Sequence, residues 1–147
     1  MALVYVFNPF TGAFDAVTSP ASSDATLVFA ASSIGTSTTA RFMPFGYTPS
    51  QARITPVSIL ASRAGHLTNL RVRHNTPGIG SSVTYALYRN GVLTALTASL
   101  NASSSAASDL VNSVNVAADD ILDLRVDKAA RIGASPLDVT ATIEFSN

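Results

Sequence analysis

Residues 66–100 read HLTNLRVRHNTPGIGSSVTYALYRNGVLTALTASL, and this stretch decides the fold class. It holds two strands, a tight turn and a third strand in immediate succession. In YALYRNGVLTAL the apolar residues alternate on both sides of Asn90-Gly91. That dipeptide readily takes positive φ at both positions, as a two-residue type I′ turn demands, so the segment predicts a β-hairpin. Ahead of it, His66 to His74 alternates as a strand, with Leu67, Asn69, Arg71 and Arg73 on one face and Thr68, Leu70 and Val72 on the other.

Working outward toward the N-terminus, Leu3 to Phe7 and Ala13 to Val17 read as two short strands around a turn built on Asn8-Pro9 and Thr11-Gly12. Phe7, Phe10 and Phe14 are three of the seven phenylalanines, so this hairpin gathers aromatic surface at one terminus. Such surface needs a cover. It either plugs the protein's own core or forms an arm that docks on a partner. The small-residue stretch 19–25 then serves as a hinge, giving an arm over 1–20 and one β-sandwich domain over 21–147. Thr26 to Ala31 and Ala40 to Tyr47 read as strands, the latter an edge or bent strand because Pro44 cannot donate to a ladder. Thr55 to Ala61 returns to strand.

Toward the C-terminus, a loop of small residues over 101–108 leads to strands over Asp109 to Val116 and Ile121 to Asp127. Leu137 to Phe145 closes the chain with a period of two, placing Leu137, Val139, Ala141, Ile143 and Phe145 inward. No window carries a capped 3.6-residue stripe. Eight to ten strands with turn chemistry between them predict an all-β, antiparallel β-sandwich. Several loops are long enough to cross between sheets, which favours a jelly roll.

A chain of 147 residues suits one domain with a sizeable core. It has no cysteine, which excludes a disulfide framework and a thiolate metal site. Charged residues make up 12% of the chain against about 25% in an average soluble domain, and nine basic residues cancel nine acidic ones. Such a chain has no net field to attract nucleic acid or an anionic membrane, and neutrality removes a barrier to self-association. Eight of the nine basic residues are arginine, the side chain favoured at interfaces. No basic leader is evident, and no stretch reaches the roughly 18 apolar residues of a membrane span.

No pattern marks out catalysis or a cofactor. Asp119, Asp120, Asp123 and Asp127 cluster, but the stretch lacks the glycine and distal glutamate of a calcium loop. On a strand, Asp123, Arg125 and Asp127 share a face, which reads as a solvated stripe of alternating charge. His66 and His74 stand at the two ends of one strand, about 26 Å apart at about 3.3 Å per residue, too far to share a metal ion. There is no nucleophile elbow, and GIGSS at 78–82 precedes a strand where a phosphate loop needs a helix. Arg71 and Arg73, without interleaved aromatics, make a weak nucleic-acid footprint. They fit a subunit interface better, paired with Asp123 or Asp127 of a neighbour, with Arg125 in the same stripe.

The string YVFNPFTGAFDAV at 5–17 resembles an opening motif of structural proteins of tailed bacteriophages. The stretch from Leu67 to Val126, with its NLRVR strand, its NG hairpin and its closing DILDLRV strand, is similar to a recurrent β-rich module of virion surface proteins. The resemblance implies a non-enzymatic capsid decoration (cement) protein or similar virion accessory protein. It would be a homotrimer made in the bacterial cytoplasm and carried on the virion, with the major capsid protein or another virion protein as partner. Phe7, Asn8, Pro9, Phe10 and Phe14 would form the partner-binding arm. The alternative is a receptor-binding or fibre-tip domain that holds a bacterial surface glycan at Tyr47, Tyr85 or Tyr88. A hydrolase has no motif to support it.

Overall fold

The computed structural model describes residues 3–8, 13–18, 24–46, 51–75 and 80–147. Twelve strands are described: β1 (Leu3–Asn8), β2 (Ala13–Thr18), β3 (Ala25–Ser33), β4 (Arg41–Phe42), β5 (Ile59–Leu60), β6 (Gly65–Arg73), β7 (Val83–Arg89), β8 (Val92–Leu100), β9 (Ala106–Asp109), β10 (Val114–Val116), β11 (Ile121–Lys128) and β12 (Leu137–Ser146). They form three antiparallel sheets. β1 and β2 make a two-stranded sheet of their own. The first large sheet runs β3-β12-β6, with β9 and β10 sharing the far side of β6; the second runs β11-β7-β8, with β4 and β5 sharing the outer side of β11.

Each pair of short strands occupies one strand position, so both sheets have four. Between positions, the chain changes sheet at every connection except β7–β8. This is a jelly-roll sandwich, and Asn90-Gly91 makes its single in-sheet hairpin among the described residues. Asn90 and Gly91 have φ of 52° and 77°, and Arg89 pairs with Val92 across them, as a type I′ turn requires. The core lies between the sheets and is filled from alternate positions. Leu67, Leu70 and Ile143 of the first sheet meet Tyr85, Leu87, Leu96 and Leu124 of the second, all fully buried. Each such side chain contributes about 1.5–3 kcal/mol of transfer free energy.

Several sequence expectations change. On β6 both Leu67 and Leu70 point inward, three residues apart, which a regular strand forbids. The cause is a bulge: Thr68 pairs with Glu144 and Arg71 with Thr142, so two residues oppose one. Asn69 takes a positive φ of 54° to make it, and its side chain donates to Glu144 Oε2 at 2.6 Å. The expected strand at 40–47 shrinks to β4, because the chain switches sheets at Pro44. Met43 N–H donates to Leu124 of the second sheet, whereas Ala30 and Gly46 bond across to complete the edge of the first. The strand expected at 55–61 shortens to Ile59–Leu60, the one expected at 109–116 is reduced to β10 (Val114–Val116) with Asp109 ending β9, and β9 forms at Ala106–Asp109 mostly in the expected loop, where it pairs with β6. Leu137 is exposed rather than inward, next to Asp138 with a φ of 49°.

Candidate functional surfaces

The N-terminal hairpin pairs Leu3 with Thr18 through to Asn8 with Ala13, which places Phe7 on the same rung as Phe14. Pro9 and Phe10, the other arm residues expected from the sequence, lie outside the described residues, as does Tyr47.

Arg71 and Arg73 lie on the outer face of the first sheet, both exposed on β6. Their rungs are Ser108-Arg71-Thr142 and Ala106-Arg73-Thr140. These residues line a shallow depression of about 460 Å³. Among the described residues neither arginine makes an ion pair. The nearby acids of β12 are engaged elsewhere: Glu144 by Asn69, and Asp138 by Asn75 at 2.9 Å.

Asp123, Arg125 and Asp127 lie on the outer face of the second sheet. They are not a uniformly solvated stripe. Asp123 is buried and accepts a 2.6 Å hydrogen bond from the Ser58 hydroxyl. Arg125 donates to Asp127 at 2.8 Å and lies 5.3 Å over the Tyr88 ring. The contact with Asp127 raises the Arg125 pKa above its ordinary value. Both carboxylates of this face are therefore satisfied within the chain. The same face carries exposed Leu60 and Ile121, paired across β5 and β11, and exposed Leu93 opposite Tyr88. Val111, 92% exposed, stands in the loop joining β9 to β10, beside the β8 edge.

The two groups of interface candidates thus occupy opposite faces of the sandwich.

The remaining polar groups are structural in their contacts. Asp120 accepts from the Ala117 N–H and the Asn90 side chain and forms an ion pair with the Arg89 guanidinium at 3.6 Å. Its carboxyl is held below the usual range, chiefly by the Ala117 bond. With Asp123 and Asp127 committed as above, the aspartates do not converge, and no group of three metal-ligating side chains occurs among the described residues. His66 is exposed and bonded to Asn115, whereas His74 is buried. The sole lysine, Lys128, is buried and donates to the carbonyls of Ile34 and Thr39. Burial, and then the charge of Arg41, hold its pKa below the ordinary lysine value. Tyr85 is fully buried and Tyr88 lies beneath Arg125, so neither presents an open ring to a sugar.

Sequence reasoning missed Asp109. It is buried at the end of β9, where burial opposes its charge. The Asn112 side chain and the N–H groups of Asn112, Thr97 and Val111 donate to it and pull its carboxyl down to about 2. The Thr97 donor belongs to β8, so one carboxylate ties the edges of the two sheets together. The one available signal was the short-range D-x-x-N spacing, in which an aspartate caps its own turn.

No protein-family model and no curated protein matches this sequence. Among solved structures, it is similar to murine APRIL at pH 8.0, at 10% identity and a TM-score of 0.46, covering 82% of this chain and 98% of that one. It is also similar to the CBM35 from Cellvibrio japonicus Abf62, at 14% identity and a TM-score of 0.44, covering 85% and 99%. The likeness is one of β-sandwich fold.

Proposed function

We propose that this chain is a non-enzymatic virion protein of a tailed bacteriophage, a capsid decoration protein that binds the shell as a homotrimer. The observation that carries the reading is the N-terminal hairpin: among the described residues β1 and β2 pair only with each other, outside both sheets of the sandwich. An aromatic-rich hairpin with its own pairing is suited to gripping a second surface, and its FNPFTG segment is the part that resembles phage structural proteins. Self-association is assigned to the outer face of the second sheet and its adjoining edge, where Leu60, Ile121, Leu93 and Val111 expose apolar surface on a chain of zero net charge. A face and an adjoining edge are inclined to one another, as ring closure requires.

The test is deletion of residues 1–18. The truncated protein keeps its far-ultraviolet β spectrum and its mass by light scattering, and no longer co-sediments with undecorated capsids. Retained co-sedimentation would overturn the arm's role. Loss of the trimer on truncation would move the oligomer interface to the hairpin.

A further inference from the structure

We infer that Arg71 and Arg73 form a binding site for an acidic glycan, a function separate from shell attachment. Two guanidiniums at i and i+2 on one strand face stand about 7 Å apart at their Cα atoms. Like charges so placed repel each other unless an anion lies between or beside them. Among the described residues no carboxylate pairs with either arginine. Glu144 and Asp138 bracket the pair on β12, yet each is held by an asparagine, Asn69 and Asn75, instead of by an arginine. Of the other six arginines, Arg41, Arg89 and Arg125 donate to partners in the chain and Arg63 lies over the Phe145 ring, while Arg53 and Arg131 make no side-chain hydrogen bond or ion pair among the described residues but stand singly, with no second arginine two residues away.

The floor around the pair matches a sugar polymer. Thr140, Thr142 and Ser108 offer hydroxyls on the same two rungs, and Ala106 leaves the depression open at one end. A guanidinium binds sulfate, phosphate or carboxylate oxygens bidentately, and neighbouring hydroxyls hydrogen-bond to sugar hydroxyls. Among the described residues no aromatic ring lines the depression, which gives nucleic-acid bases nothing there to stack on. The ligand class is an oligosaccharide bearing oxyanion groups, whether sulfate esters or uronic carboxylates.

Titration of the full-length protein with a heparin hexasaccharide, a galacturonate hexasaccharide, a neutral dextran of the same length and a single-stranded DNA oligonucleotide tests this. Binding of either acidic sugar, weakened by salt and absent for dextran, is expected, and the stronger of the two identifies the oxyanion. The double substitution Arg71→Ala and Arg73→Ala should weaken it at least ten-fold with an unchanged melting temperature. The double change to lysine should retain part of it, because charge remains without the planar fork. Thr142→Glu, which places a carboxylate on the Arg71 rung and removes no arginine, should also abolish it. No binding of either acidic sugar overturns the assignment, as do equal binding by the double alanine variant and tighter binding of DNA. A fall in oligomer mass for the double alanine variant would likewise overturn it, placing the arginines at a subunit interface.

Discussion

Replacing Asp109 with alanine removes the acceptor of four hydrogen bonds, to Thr97 N–H at 3.0 Å, Val111 N–H at 3.2 Å, Asn112 N–H at 3.1 Å and the Asn112 side chain at 2.9 Å. Bonds to a charged group contribute about 1.5–3 kcal/mol each when the freed donor stays dry. Val111 and Asn112 are exposed, so their N–H groups turn to water and lose little. Thr97 is half-buried on β8 and bears most of the loss, which puts the total cost at about 2–3 kcal/mol. With a urea dependence of about 2 kcal/mol per molar, the unfolding midpoint falls by about 1 M at fixed protein concentration. The pH dependence has a definite sign. The folded carboxyl titrates at about 2, below its ordinary 3.8, so the unfolded chain takes up the proton first as pH falls. The stabilisation is complete above pH about 4 and drains away as pH drops through about 2. Urea titrations of the native protein and the Asp109→Ala variant at pH 7, 4 and 2.5 measure this as a gap that narrows on acidification. A gap below about 0.5 kcal/mol at pH 7, or one that stays constant to pH 2.5, would refute the reasoning.

Other expectations follow from the same contacts. Asn90→Ala loses a 2.6 Å bond to Asp120 and a 2.8 Å bond from Ile121 N–H, and forces alanine to a φ of 52°. The cost is about 2–3 kcal/mol, and Asn90→Gly, which removes only the side-chain bonds, should recover about 1 kcal/mol of it in chemical denaturation. At Gly65 a methyl group would meet the Ser146 carbonyl oxygen and, at 2.6 Å, the Phe145 ring. Gly65→Ala should therefore destabilise by about 1–3 kcal/mol and increase amide exchange where β6 and β12 pair, whereas Gly133→Ala, with open space around it and no positive φ, should leave that pairing protected.

The sequence by itself determined the class of fold and the hairpin at its centre. A type I′ turn depends on two adjacent residues, and a half-buried strand on a period of two, so both are written locally. What neighbours decide was not written there. The inward face of β6 changes phase at Asn69 because two of its residues oppose one on a strand 75 positions away. Asp123 looks like part of a solvent-facing stripe until Ser58, 65 positions away, closes over it. Asp109 reads as the first residue of a strand after a loop of small residues, and its importance arises only when β8 and β9 meet across the sandwich edge. The candidate sites divide in the same way. Sequence picked out the arginines and aspartates as a set, but only the tertiary structure put Arg71 and Arg73 on one outer face and Asp123, Arg125 and Asp127 on the other. Alternation states that two residues share a strand face; which side of a sandwich that face becomes is set by the crossing of the chain between sheets, a property of the whole topology.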